Sequence, residues 1–500
     1  MEKDGAGSEK ESSLGSISEG AGLFVLGKGA SNTLGLGTTV ILTRILGTRL
    51  YGFYTYINVL FSLVYVLARL GGDKSLLRFI PEYEEQPRKR KVVVTLAYGT
   101  SLLASVAIGG AVFLFAPTIS SFTLDDVLFT EILRITAVVI PFNTLSMISY
   151  SLFKSIERMD YNVITSSIVK PFLRLVFVGG AVVLGYSVVG AAAGLIVSGV
   201  LGFLVAFTLL VKRVEFLGIA SPSRSETKEY YNFSLPLTFN QLGSFAYNRT
   251  DILMIGFFFT GSAVGVYNAA FLISRILSLP LSAFNQLFPP IASRLYQNGN
   301  NDDLEAIYTA VTKMIFMISL FPAIAVLIYA PEILQVFGEG FSQGQYILML
   351  FVIGQLTNAL VGPSGYLLMM SDHQYLTMFN QLGSGILNIL LNYILITNIG
   401  VIGAAVATAS VLAAINVLRA WQVWYFEGLS PYDWSYIKPI TAGAVSGLIM
   451  LSFTLVFDGY LLLVSGMTIG GLSFILVIYA LGVSEDETDL IKKVFSVFHL

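Results

Sequence analysis

Basic and amide side chains recur at helical spacing inside stretches that are otherwise apolar. Such a placement is costly unless a partner, a cavity or water meets the polar group. The cations within apolar stretches are Lys28, Arg44, Arg134, Lys170, Arg174, Arg249, Arg275 and Lys313, and Asp251 is the one acid clearly inside such a stretch. Each residue of a helix advances about 100°, so Ser167, Lys170 and Arg174 share a face, as do Asn268, Arg275, Ser278, Ser282 and Asn285. Two further stripes consist mostly of amides and hydroxyls: Asn240, Ser244, Tyr247 and Asp251, then Gln381, Ser384, Asn388 and Asn392. Both open within the hexapeptide FNQLGS, found at 239–244 and again at 379–384.

Several cations facing one carboxylate suit an anion. Phosphate or pyrophosphate is the natural one, because guanidinium groups hold it through paired charge-assisted hydrogen bonds. Lys28, Lys170, Arg174, Arg249 and Arg275 are accordingly candidate phosphate ligands. Asn240, Ser244, Asn268, Asn285, Gln381 and Asn388 suit a hydroxyl-rich cargo, with hydrogen bonding between helices as their alternative role. Together these groups point to a phosphate-linked sugar. Asp251 is the candidate coupling residue, and Pro236 the candidate gating bend, since proline removes a helical hydrogen bond. Arg134 and Lys313 lie near the ends of their stretches and are expected to reach the headgroups. The chain has no Cys, which excludes disulfides and thiol chemistry, and it carries no HExxH or His cluster; no cofactor, metal or catalytic site is expected. A net charge of −2 gives no reason to expect a nucleic-acid partner.

The elements that must position these residues follow from composition. The chain is 55% hydrophobic and 12% charged, against about 25% charged in soluble domains. Apolar runs long enough to cross a bilayer, about 20 residues, recur along almost its whole length. An all-α polytopic membrane protein of fourteen spans is expected, near 22–47, 51–68, 92–116, 129–153, 163–185, 188–211, 231–258, 264–289, 308–330, 344–370, 375–397, 401–425, 437–457 and 460–481. Lys and Arg gather in the even-numbered loops, most densely at Arg88–Lys91, while most odd-numbered loops are uncharged or acidic. The bias toward positive cytoplasmic loops therefore places both termini inside, in the cell membrane. Arg44 and Arg49 beside the first loop are the exception.

A repeat at an offset of 213 residues aligns YGFYTY from Tyr51 with VGVYNA from Val264, and VVGAAAG from Val188 with VIGAAVA from Val401. It implies two pseudo-repeated six-helix lobes, at 22–212 and 231–426, joined by a cytoplasmic linker at 213–230. A flexible cytoplasmic tail at 1–21 precedes them, and two more helices with a cytoplasmic tail fill 427–500. The FNQLGS copies are 140 residues apart, so they are not equivalent positions of this repeat. Duplicated lobes of this kind carry a substrate site between them in alternating-access transporters.

The stretch TRILGTRLYGFYTY (Thr43–Tyr56) resembles the end of helix 1 and start of helix 2 in polysaccharide flippases of the multidrug/oligosaccharidyl-lipid/polysaccharide exporter superfamily. LARLGGDKSLLRFIPEY, YNRTDILMIGFFFTGSAVGVYNAA and FPPIASRLY extend the likeness, which covers residues 22–480. The resemblance implies an O-antigen-type flippase that turns a polyprenyl-(pyro)phosphate-linked oligosaccharide from the cytoplasmic to the outer leaflet. Membrane lipids, and glycosyltransferases or a polymerase of the same route, would be its associates, and the protein itself a monomer. Arg44 matches by position a helix-1 arginine that binds pyrophosphate in related flippases, and so joins the phosphate ligands. The competing expectation on the same fold is an H⁺- or Na⁺-coupled exporter of small molecules, for which Asp251 is the only suitable acid found. A membrane glycosyltransferase or polymerase would need a catalytic acid/base or a large exposed loop, and neither is found.

Overall fold

In the computed structural model, residues 3–214, 216–371 and 373–482 are described, with side chains from Gly27 onward save at 286, 287 and 374. The tail expected after the last span, at 483–500, lies outside them. Regular structure among the described residues is helical throughout. Eleven helices are long and apolar enough to cross a membrane, or twelve if Val127–Ala137 and Ile140–Ser155, bent by 48°, form one span. Two features account for the difference from the fourteen expected. The first helix, α1 (Lys3–Arg69), runs through both of the first two expected spans, and only Gly47 leaves helical geometry, at φ 70° and ψ −177°. That left-handed φ suits glycine, which has no Cβ to clash. The other is the helix Arg224–Phe258, whose Asn232, Asn240, Gln241, Asn248, Arg249 and Asp251 keep it outside the apolar set.

The chain forms two compact units, Met1–Val264 and Gly265–Leu500. In the first, α1 is followed by the short α2 (Gly72–Glu82), α3 (Pro87–Leu114), α4 (Val127–Ala137), α5 (Ile140–Ser155), α6 (Met159–Val183), α7 (Ser187–Arg213) and α8 (Arg224–Phe258). The α2 helix is amphipathic: it buries Leu76, Phe79 and Ile80 and exposes Lys74, Leu77 and Arg78. Its apolar face joins a core with Val92–Val94 and Leu96 of α3, Ile148, Leu152 and Phe153 of α5, and Tyr230 of α8. The α8 helix begins on a capping box, in which the Ser223 hydroxyl accepts from the Glu226 N–H while the Glu226 carboxylate accepts from the Ser223 N–H. Two of the otherwise orphaned donors of a helix start are thereby satisfied.

Asp126 starts α4 in the same way, accepting from the N–H groups of Leu128 (2.9 Å) and Phe129 (3.4 Å), and it also pairs with Arg49. Arg49, the basic exception in the first loop, is thus matched by an acid from the next odd-numbered loop. Burial alone would raise the Asp126 carboxyl, but the Arg49 and Leu128 donors outweigh it and hold the group below its usual value. A depressed folded-state value adds stability above the unfolded value of about 3.9, and the gain is lost as pH falls through the folded one. Asp126→Ala is expected to lower stability by about 1 kcal/mol through the lost cap. Thermal unfolding of the purified protein at neutral pH checks this, and the difference from the parent should shrink below about pH 4.

The second unit packs long helices side by side: α9 (Gly261–Ser274, which crosses the boundary), α10 (Leu279–Gln297), α11 (Asn301–Ile328), α12 (Gln345–Val361), α13 (Ser364–Met370), α14 (Gln374–Ile399), α15 (Val401–Glu427), α16 (Ile437–Phe453) and α17 (Gly459–Ala480). Several polar groups buried here pair within the unit. The amides of Asn380 on α14 and Gln422 on α15 exchange hydrogen bonds of 2.7 and 3.3 Å. Lys313, expected to reach the headgroups, is instead 8% exposed, with its Nζ donating to Ser435 Oγ at 2.6 Å. Arg134 is exposed near the end of α4, as its position in the sequence suggests.

Candidate functional site

The cations that the structure draws together belong to the first unit, and α6 supplies two of them. Pro171 has no N–H to donate and its ring crowds the preceding turn. The helix accommodates it with π turns at Ile164–Val169 and Leu175–Gly179, which flank the α-helical Lys170–Arg174. Single π turns of this kind are frequent at functional sites. Lys170 and Arg174, one turn apart, are both half-buried. The Arg174 guanidinium donates to Asn58 Oδ1 of α1. The Lys170 ammonium lies 5.9 Å from the Tyr150 ring centroid of α5 and within electrostatic reach of Arg174 and Arg69.

Two neighbouring helices present polar stripes of the same form. On α1, Asn58, Tyr65 and Arg69 follow one another at steps of seven and four residues; on α5, Asn143, Tyr150 and Lys154 do the same. This spacing keeps each set within about 40° of one helical face. The stripes meet where Asn143 Nδ2 donates to the Tyr65 hydroxyl at 3.0 Å. At the end of α1, Arg69 donates to Asp73 Oδ2 at 3.0 Å, to Gln241 Oε1 at 3.3 Å and to the Tyr65 carbonyl at 3.0 Å. Gln241, from the first FNQLGS copy, completes a ring by donating to Asp73 Oδ1 at 3.3 Å. Lys154 is exposed and interacts electrostatically with Lys74 and Asp73.

Five cations thus form a chain of neighbours in the first unit: Arg69 pairs with Asp73, Lys154 interacts with Lys74 and Asp73, and Lys170 interacts with Arg69 and with Arg174. The amides of Gln241, Asn143 and Asn58 lie along the same path. Guanidinium and ammonium groups at such density attract a multiply charged anion more strongly than any single one could. Uncharged amides beside them can hydrogen-bond hydroxyls without adding charge.

The remaining predicted positions are dispersed. Lys28 and Arg44 are exposed on the first half of α1. On α8, Asn240 and Pro236 are exposed, Ser244 and Arg249 half-buried, and Asp251 is 3% exposed with its carboxylate accepting from the Ile252 N–H. In the second unit Asn268 is 7% exposed. Arg275, exposed, opens a 3₁₀ turn at Arg275–Ser278 with its guanidinium 5.8 Å from the Phe271 ring. Asn285 and Gln381 are half-buried. Asn388 is 1% exposed and accepts from the Asn392 amide through both its backbone and side-chain oxygens, at 2.9 and 3.0 Å.

Sequence reasoning misses Arg69, Asp73 and Gln241 as site residues, and with them Asn58, Tyr65, Asn143 and Tyr150. A search for polar residues at steps of seven and four would find both stripes. In the sequence Arg69 merges with the basic loop after the second span.

The profile of the family described as "Polysaccharide biosynthesis protein" matches residues 17–295, more than half of the chain and all of this cluster. The chain belongs to that family. Among curated relatives, Agl15 of Haloferax volcanii, a probable low-salt glycan biosynthesis flippase, is 30% identical over 55% of this chain and 58% of its own length. The teichuronic acid biosynthesis protein TuaB of Bacillus subtilis is 28% identical over 46% of this chain and 48% of its own length. The chain therefore spans about half the length of the curated relatives it matches. Its fold is that of the lipid II flippase MurJ in an inward closed conformation, with a TM-score of 0.71 over 94% of this chain and 99% of that one at 18% identity.

Proposed function

We propose that this protein is a flippase that carries a polyprenyl-(pyro)phosphate-linked oligosaccharide from the cytoplasmic to the outer leaflet of the cell membrane by alternating access, in the assembly of a glycan. The observation that carries the proposal is the convergence of Arg69, Lys170 and Arg174, with Asn58, Asn143 and Gln241 among them, in the first unit. The cations would hold the phosphate groups, offsetting the desolvation that moving them through the membrane entails, and the amides would meet the first sugars. The lipid tail would remain in the bilayer. Family membership and the flippase relative support the same reading.

On this proposal the kinked α1 counts as two spans and the polar α8 as one more, which takes the twelve to fourteen. The spans then form two six-helix lobes followed by two further helices, with both termini cytoplasmic. Enzymes that build or polymerise the glycan would supply and consume the cargo, and the transporter would work as a monomer. Removing the protein from its host is expected to leave lipid-linked glycan on the cytoplasmic face of the membrane. Glycosidase- or lectin-accessibility of that glycan in oriented vesicles checks this, and unimpaired delivery to the outer face would refute the proposal.

A second reading, an H⁺- or Na⁺-coupled exporter, is favoured by Asp251, an acid held at 3% exposure within a helix. The flippase reading expects Asp251→Asn to leave glycan delivery within about twofold of the parent, since the substitution keeps the side chain's shape. The rival expects loss of transport together with loss of its pH or Na⁺ dependence. Delivery measured at two pH values and with Na⁺ replaced by choline separates the two.

A further inference from the structure

Between Arg69 and Asp73 the chain turns sharply, with Leu70 at φ 47° and Gly71 at φ 71°. One face of α8, carrying Tyr230, Ser234, Thr238 and Gln241 at steps of four, four and three, lies against this elbow. A Cβ on Gly71 would stand 2.2 Å from the Ser234 carbonyl oxygen, and one on Gly72 would stand 3.0 Å from the Tyr230 hydroxyl. At the far end of the face, Gln241 donates to Asp73 and accepts from Arg69. One amide thus ties α8 to both members of an ion pair, and replacing either partner breaks the ring.

We propose that Asp73 is a resident anion that occupies Arg69 until the phosphate of the cargo displaces it, and that this exchange unlatches α8 from the elbow. The proposal rests on the flippase reading of the same cluster.

The chemistry favours exchange over simple rupture. Removing one partner of a half-buried ion pair leaves a charge without compensation. A phosphate that takes the place of the carboxylate leaves Arg69 paired throughout. Phosphate also brings more charge and more acceptor oxygens than a carboxylate, and Lys170, which interacts electrostatically with Arg69, adds positive charge beside it. The displaced Asp73 is not stranded, because Lys154 already interacts with it and Lys74 lies beside it in the chain. Gln241 loses its donor and its acceptor in one step. Asp73 in this account is a positioning residue: it does not touch the cargo but sets the condition under which α8 is released.

The chain has no cysteine, so a spin-label pair can be introduced without removing any. Leu77 on α2 and Phe239 on α8 are both exposed, and a Leu77→Cys/Phe239→Cys pair reports the separation of α8 from the elbow by dipolar EPR. The probe is a short-chain polyprenyl pyrophosphate, with the unphosphorylated polyprenol as control. The parent is expected to bind the pyrophosphate and to show a longer label distance when it does. Asp73→Asn keeps the side chain's shape and removes its charge; it is expected to show the longer distance without any probe and to bind the pyrophosphate about tenfold more tightly, within the usual range of coupling between a bound ligand and a switch. Gln241→Ala is expected to lengthen the distance as well, and stands in should Asp73→Asn not fold. A label distance that is the same with and without bound pyrophosphate overturns the latch while leaving the flippase reading in place. Failure of the parent to bind the pyrophosphate overturns both.

Discussion

Arg174→Gln is expected to reduce glycan delivery by about a hundredfold while the protein still folds. Arg174 is half-buried between Lys170, one turn away on α6, and Asn58 of α1, to which it donates. Truncating a desolvated charge that binds an opposite charge typically costs about 3 kcal/mol, and that converts to roughly two powers of ten. Glutamine retains a donor for Asn58, so the loss should fall on transport and much less on the packing of α6 against α1. Delivery of lipid-linked glycan to the outer face, set beside the elution profile of the purified variant, measures both. Delivery at the parental level would remove Arg174 from the site.

The second large effect concerns the elbow. Gly71→Val places a branched side chain at φ 71° and drives its Cβ to 2.2 Å from a backbone oxygen of Ser234, which cannot move aside without shifting α8. The left-handed conformation alone costs roughly 1–2 kcal/mol for a residue with a Cβ, and forced overpacking adds a further ~1–3 kcal/mol. A loss of about 3 kcal/mol would be a large share of a stability that is typically only ~5–15 kcal/mol, so the variant should be recovered poorly and melt well below the parent. Gly99→Ala supplies the contrast: Gly99 lies within α3, and a Cβ added there would meet nothing within 4 Å. Replacing such a helical glycine by alanine should stabilise by roughly 0.5–1 kcal/mol. Melting temperatures of the two variants, compared with the parent, test the pair together.

The helical membrane class is legible from the sequence because hydropathy over twenty residues is a strong, local signal. Locality also explains what stays hidden. Arg69 and Asp73 look like part of a basic loop, since nothing in their immediate sequence says that Gly71 brings Ser234 of α8 against the elbow. Asn58 and Asn143 carry no charge and sit singly among apolar neighbours, so their role emerges only when Arg174 and Tyr65 are found at hydrogen-bond distance. Lys170 and Arg174 are visible because they share one helical face. The sequence leaves Asn388 open between a sugar contact and a packing amide; at 1% exposure and bonded to Asn392, it has the surroundings of the second. The repeated FNQLGS likewise divides by position: Gln241 of the first copy joins an ion pair, whereas Asn380 of the second pairs with Gln422 of α15. Identical hexapeptides take different partners because the helices packed beside them differ.

The central claim is that the cation cluster of the first unit recognises the phosphate of a lipid-linked glycan. It is tested most directly in vesicles containing only the purified protein, with two fluorescent cargoes that differ solely in their link: one joins sugar to polyprenol through pyrophosphate, the other through a neutral ether. The pyrophosphate-linked cargo is expected to cross rapidly and the neutral one not to cross, and Arg174→Gln should abolish the difference. Equal transfer of both cargoes by the parent protein would contradict the claim.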